Sequence, residues 1–174
     1  VYNMKKILNP WTGVDGYMCF GCAHGNLSGV KMDFYADESE IISVWKPESR
    51  FQGWLHTLHG GIQAVLLDEI CGWLTISQCQ TVGVTSKMET RYSKPISTDE
   101  PYLIIRARLK ERRRNILLIE AEIYNPANEI CSSAICTYFT LPPEKAKQEM
   151  NFTEVKLSSE EISLEELIRP LTVG

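Results

Sequence analysis

No apolar run in this chain approaches the ~18–20 residues that a bilayer-spanning helix needs, so no membrane partner is expected. There is no long basic arm, and the formal net charge of −4 gives no general attraction for nucleic acid. An anionic ligand would therefore need a local basic cluster. The opening Val1 to Trp11 holds two lysines but no apolar core of signal-peptide length. Six cysteines in 174 residues are too sparse for a disulfide scaffold. Four of them, Cys71, Cys79, Cys131 and Cys136, fall inside apolar stretches, where buried free thiols are usually found. A reducing, cytoplasmic setting is the expectation. Internal repeats and low-complexity segments are also missing. A hydrophobic fraction of 44% in a chain of this length fits one domain with a sizeable core.

Residues 1–29, rich in Gly, Asn and aromatics, read as an irregular lead-in. Val30 to Tyr35 alternates apolar and polar residues and predicts a strand, with Ile41 to Trp45 as its hairpin partner. Leu58 to Leu74 is the one strong helix, because Leu58, Ile62, Val65, Leu66, Ile70, Trp73 and Leu74 recur at helical spacing. Its other flank carries small residues around a single carboxylate: Gly61, Ala64, Asp68, Cys71 and Gly72. Exposed helix faces usually carry Lys, Glu and Gln, so this flank predicts close approach by another chain or a ligand. Four strands follow, at Val82 to Tyr92, Tyr102 to Leu109, Ile116 to Tyr124 and Ile130 to Leu141, and their short polar links predict an antiparallel meander. The class is α+β, one buried helix on an antiparallel sheet spanning residues 30–143. Pro142-Pro143 closes that unit, and the charged residues 144–174 read as a surface appendage with a short helix near Ser163 to Ile168.

The chemistry concentrates in Leu58-His59-Gly60-Gly61-Ile62-Gln63-Ala64-Val65-Leu66-Leu67-Asp68-Glu69. Glycines at a helix start let the backbone approach a ligand, and the first turn leaves amides unpaired at the positive end of the helix dipole. Such amides suit a carbonyl oxygen that is becoming an oxyanion. Asp68 lies about two turns further on, roughly 10 Å along the axis, which points to a site shared between two subunits. Glu69 is a rival carboxylate, but its helical angle puts it within the apolar stripe, where a structural hydrogen bond at a strand end is expected.

His59-Gly60-Gly61, six residues and then Asp68 resembles the hotdog-fold acyl-CoA thioesterases, especially the phenylacetate-pathway (PaaI-like) and 4-hydroxybenzoyl-CoA thioesterase-like branches. Cys19-Phe20-Gly21-Cys22, Asn26 and Gly29-Val30-Lys31-Met32 resemble the lead-in of one bacterial subgroup. Phe51-Gln52-Gly53-Trp54 and Tyr92-Ser93-Lys94-Pro95-Ile96 are similar to the approach to the helix and to a strand ending in the same family. The resemblance implies a long central helix wrapped by an antiparallel sheet, a homodimer or homotetramer, and hydrolysis of an acyl-CoA with coenzyme A as part of the substrate and no other cofactor. It implies Asp68 as nucleophile or general base, Gly60 and Gly61 as the backbone that polarises the thioester carbonyl, His59 as support for that loop or a contact to substrate, and Thr85 as the hydroxyl that orients water. Many relatives carry Asn and Gly six and three residues before the His; here these are Gly53 and His56, so His56 is expected to replace a missing polar contact. The alternative is a hotdog module that binds acyl-CoA without cleaving it.

Substrate contacts are expected from His56 and Trp54, with Trp73 and Tyr92 as further candidates for the acyl pocket. Arg112-Arg113-Arg114 with Arg106, Arg108 and Lys94 is the one basic concentration, and Lys94, Arg113 and Arg114 are candidates for coenzyme A phosphates, because ammonium and guanidinium groups bind phosphate. Cys19-x-x-Cys22 with His24, plus His56-x-x-His59, has the residue types of a zinc site. The two pairs are more than thirty residues apart and His59 belongs to the glycine motif, so no metal site is assigned.

Overall fold

In the computed structural model, residues 3–173 are described; Val1, Tyr2 and Gly174, the ends of the expected lead-in and appendage, lie outside the described residues. The elements are β1 (Asn3–Leu8), β2 (Tyr35–Ala36), β3 (Glu40–Trp45), α1 (Gly60–Cys79), β4 (Gly83–Tyr92), β5 (Leu103–Arg113), β6 (Ile116–Tyr124), β7 (Ile130–Thr140), α2 (Pro143–Met150), β8 (Lys156–Ser163) and α3 (Leu164–Thr172). The strands form one antiparallel sheet in the order β4-β7-β6-β5-β3-β2-β1-β8.

Alternation shapes this sheet. In β6, Leu117, Ile119, Ala121 and Ile123 are buried while Glu120 and Glu122 point the other way. Leu103, Ile105 and Ala107 of β5 and Ala134, Cys136 and Tyr138 of β7 continue the same inner face. Helix α1 lies across that face, against β3 to β7, and buries Leu66, Leu67, Ile70, Trp73 and Leu74 there. This is the α+β arrangement expected of the hotdog fold.

The meander holds for β5, β6 and β7 only. β4 pairs with β7 rather than β5, because residues 93–102 do not turn back after β4. This link passes the start of α1, where Leu58 N–H bonds Ile96 O at 2.8 Å and the Ile96 side chain is buried. The predicted strand at Val30 to Tyr35 shrinks to Tyr35–Ala36. Val30, Met32 and Phe34 are buried in alternation as expected, but Lys31 has φ of 55°, which breaks the extended run.

Both ends of the chain differ from their expected roles. The lead-in, expected to be irregular over residues 1–29, contains β1, and the expected appendage supplies β8, which pairs with it. Alternation along β1 puts Ile7 in the main core while Met4, three residues earlier, packs on the opposite face with Ile42 and Ile104. Leu164, Leu167 and Ile168 of α3 cover that second cluster. Ser163 caps α3 and Glu166 returns the bond to its backbone, a reciprocal pair that fixes the helix start. Trp11 meets Phe152 at 5.8 Å between ring centres, tying the lead-in to the segment after α2.

Truncating a side chain under the sheet should cost far more than one on the outer edge. Leu66→Ala is expected to lower unfolding stability by about 2–5 kcal/mol. Leu157→Ala, on half-exposed β8, should stay within about 0.5 kcal/mol, as measured by urea denaturation.

Candidate active site

His59 is the N-cap of α1, and its Nδ1 accepts the Gly61 N–H at 2.8 Å. The imidazole lies between two glycines for a steric reason. A Cβ at Gly53 would stand 3.2 Å from its Cδ2, and one at Gly61 would stand 3.0 Å from its Nδ1. The glycine that departs from the family pattern therefore makes room for the ring. The Gly61 amide, expected to face a substrate oxygen, is occupied by this cap. Of the two expected donors, the Gly60 N–H is the one that has no partner among the described residues. Tyr92 closes over the same place, its hydroxyl donating to Gly60 O at 2.8 Å. A cavity of about 460 Å³ opens beside Gly60, lined by Gln52, Gly53, Trp54, Thr57, Leu58 and His59. Trp54 is 86% exposed at its rim.

Asp68 sits eight residues further along α1, about 12 Å by helical rise. Its Oδ1 accepts two hydroxyl hydrogen bonds, from Thr85 Oγ1 at 2.8 Å and from Tyr138 at 2.6 Å. The Tyr138 hydroxyl is also 2.7 Å from the Asp68 carbonyl oxygen. Thr85 and Tyr138 are direct cross-strand partners on β4 and β7. A register shift between Thr85 and Lys87 switches faces, so that Thr85 before it and Met88 after it both point toward α1. Burial, and then the Asp68 charge, push the Tyr138 phenol well above its ordinary range, so it keeps its proton and remains a donor. Oδ2 accepts no hydrogen bond among the described residues.

Tyr138 was not among the sequence candidates. The signal was available: Ala134, Cys136 and Tyr138 alternate inward, and a tyrosine buried to 3% exposure must place its hydroxyl on a partner.

The remaining candidates separate. His56, with φ of 58°, is exposed, 3.7 Å from Asp99, and is absent from the lining beside Gly60. Trp73 is absent from the lining beside Gly60, being buried and stacked 5.1 Å from Phe34. The basic residues do not form one patch. Lys94 pairs with Glu129 beyond the Tyr92 end of β4, Arg106 and Arg108 pair with Glu40, and Arg113 pairs with Glu111 at the β5–β6 tip. Arg114, with φ of 55°, occupies that tip and has no ion pair among the described residues. The tip lies at the Thr85 end of the sheet, through the register Ile116–Phe139–Val84, so Lys94 and Arg113 stand at opposite ends. No histidine joins Cys19 and Cys22 among the described residues: His24 bonds Asp33 at 3.2 Å, His56 stands by Asp99 and His59 caps α1. Glu69 does not reach a strand end; it accepts from the Trp73 indole at 3.2 Å and faces Cys19.

The family model described as "Thioesterase superfamily" matches residues 55–132. No curated protein matches the sequence. Among solved structures, a thioesterase from Haemophilus influenzae is 21% identical with a TM-score of 0.61, covering 70% of this chain and 86% of that one. A hypothetical thioesterase protein from Streptococcus pneumoniae, solved with coenzyme A, is 23% identical with a TM-score of 0.56, covering 59% and 82%. A thioesterase superfamily protein is 19% identical with a TM-score of 0.60; the match covers 66% of this chain and 56% of the length of that protein. The fold is therefore the hotdog fold, and the resemblance to its thioesterases holds.

Tyr138→Phe removes a buried donor to a carboxylate while keeping the ring. It should cost about 1–3 kcal/mol in urea unfolding. Asp68→Asn combined with it should cost less than the two single losses added together, because the partners are in contact.

Proposed function

We propose that this hotdog-fold relative of the thioesterases hydrolyses an acyl-CoA to a carboxylic acid and coenzyme A, with Asp68 as general base and the Gly60 amide as oxyanion donor. One observation carries this reading: a partly buried helix carboxylate has one oxygen held by Thr85 and Tyr138 and the other without a partner among the described residues. Two fixed hydroxyl donors orient the carboxylate without neutralising it. Oδ2 takes a proton from water, and the water oxygen attacks the thioester carbon. The carbonyl oxygen becomes an oxyanion and accepts from the Gly60 N–H at the positive end of α1. Collapse breaks the C–S bond, and the departing thiolate of coenzyme A recovers the proton from Asp68. A thiolate leaves readily, its thiol pKa being near ~8.5 in the cysteine reference, so no separate acid is required.

Gly60 and Asp68 of one chain are about 12 Å apart on the axis, too far to serve one carbonyl. Two copies remove the difficulty. β4 ends the sheet with a free edge ten residues long, and Val84 and Tyr92 on it are exposed. An unpaired edge of that length is a template for another strand. Pairing two β4 edges would extend the sheet and set two α1 helices side by side, so Asp68 of each copy faces the Gly60 mouth of the other. Trp54 and Tyr92, at that mouth, are the proposed contacts for the acyl-CoA. The coenzyme A seen with the pneumococcal thioesterase supports this choice of ligand.

Asp68→Asn should lower kcat by about 10²–10⁴-fold against an acyl-CoA panel, read as released thiol. Tight acyl-CoA binding with no thiol released by the unmodified chain would instead identify a binding module. Gly60 is the first residue of α1, and His59 before it has φ of −60° and ψ of 134°, a backbone that accepts a following proline. Gly60→Pro therefore deletes the amide while keeping the helix. It should cost about 10²–10³-fold in kcat with an unchanged circular dichroism spectrum. Mixed dimers of Asp68→Asn and Gly60→Pro should regain one working site in two; no recovery in verified mixed dimers would place both groups in the same subunit.

A further inference from the structure

Three metal-ligating side chains outside the thioester machinery converge on one point. Cys19 and Cys22 of the lead-in turn and Glu69 of α1 place their ligand atoms within 4.8 Å of one another. Cys19 Sγ and Cys22 Sγ are 3.3 Å apart, and Cys19 Sγ is 3.5 Å from Glu69 Oε1. A tetrahedral zinc ion, with bonds of about 2.3 Å to sulfur and 2.0 Å to oxygen, sets ligand–ligand edges of roughly 3.5–3.8 Å. The observed spacings are close to that, and too long for a disulfide.

The turn is shaped to reach the helix. A Cβ on Gly21 would lie 2.3 Å from Glu69 Cδ, so glycine between the two cysteines lets the carboxylate settle against the turn. Val30 N–H to Phe20 O and Met32 N–H to Gly21 O, both 2.8 Å, hold the turn in place. The Trp73 indole N–H donates to Glu69 Oε1 and orients it, as outer partners of metal carboxylates do. Tyr17, in contact with Cys22 Sγ at 2.8 Å, is itself held by Asn9 at 2.9 Å.

Charge supplies the second line of reasoning. Two thiols and a carboxyl share a partly buried site, and among the described residues no Lys, Arg or His pairs with Glu69. A divalent cation would displace the ligand protons and supply the missing positive charge.

We infer that Cys19, Cys22 and Glu69 form a zinc site that fastens the lead-in to the helix bearing Asp68. The fourth position is water, supplied from the cavity of about 500 Å³ that touches Tyr17, Cys22 and Trp73. The partners of the cysteine pair are thus not the histidines that the sequence offered, but a glutamate nearly fifty residues away on α1.

The test uses the full chain, stripped with a chelator and kept reduced with a phosphine. Cobalt(II) should bind one equivalent, with a thiolate-to-cobalt charge-transfer band and the strong visible bands of a tetrahedral ion, and one equivalent of zinc should displace it. Cys19→Ser, at a half-exposed position, should weaken the charge-transfer band, and Cys22→Ser should do the same. Glu69→Gln should keep that band but weaken zinc by at least the roughly tenfold lost with an outer-shell partner. Asp68→Asn should bind cobalt as the unmodified chain does, which separates this site from the hydrolase reading. Absence of the band in the unmodified reduced chain, or equal zinc affinity in folded Glu69→Gln, overturns the proposal.

Discussion

A single helix must bury one face against the sheet, and that requirement places both groups of reactive side chains. Leu66, Leu67, Ile70, Trp73 and Leu74 hold α1 in one rotation about its axis. Asp68 and Glu69 are neighbours in sequence, but successive residues on a helix turn by about 100°. With the apolar face fixed, Asp68 is directed at β4 and β7, and Glu69 at the lead-in turn. Adjacent carboxylates thus enter two different environments. Asp68 meets hydroxyl donors at a half-open surface, and Glu69 meets thiols and an indole where its charge is poorly solvated.

The two ends of the sheet are treated differently, and this decides where another molecule can attach. On one side β1 and β8 extend the sheet, and α3 covers the apolar cluster of Met4, Ile42 and Ile104 on its outer face. On the other side β4 is long and, among the described residues, has no strand on its outer edge, and it adjoins the Asp68 site through Thr85 and the Gly60 mouth through Tyr92. The proposed hydrolase and the proposed pairing of two copies therefore depend on the same strand.

The glycines near His59 illustrate how a motif serves geometry. Gly53 and Gly61 leave space for the imidazole, and the ring then satisfies the Gly61 amide. One amide at the helix start is used to cap it, and the other, on Gly60, is left at the positive end of the dipole. The histidine thus acts on the helix terminus, which explains its position in the motif without any proton transfer.

The sequence alone determined the long helix, the inward face of β5 to β7 and the pairing of a helix-start glycine motif with Asp68. Each is written in local periodicity or spacing, which survives without knowledge of the partner. It also pointed to Thr85, through resemblance to a family. Tertiary structure alone decided that β4 lies beside β7, that β1 and β8 join across the whole chain length, and that Tyr138 shares Asp68 Oδ1 with Thr85. It also split the arginines and Lys94 among separate ion pairs and brought Glu69, rather than a histidine, to Cys19 and Cys22. The physical reason is range: periodicity reports which face of an element is apolar, whereas which distant element meets that face depends on how the whole sheet closes around one helix.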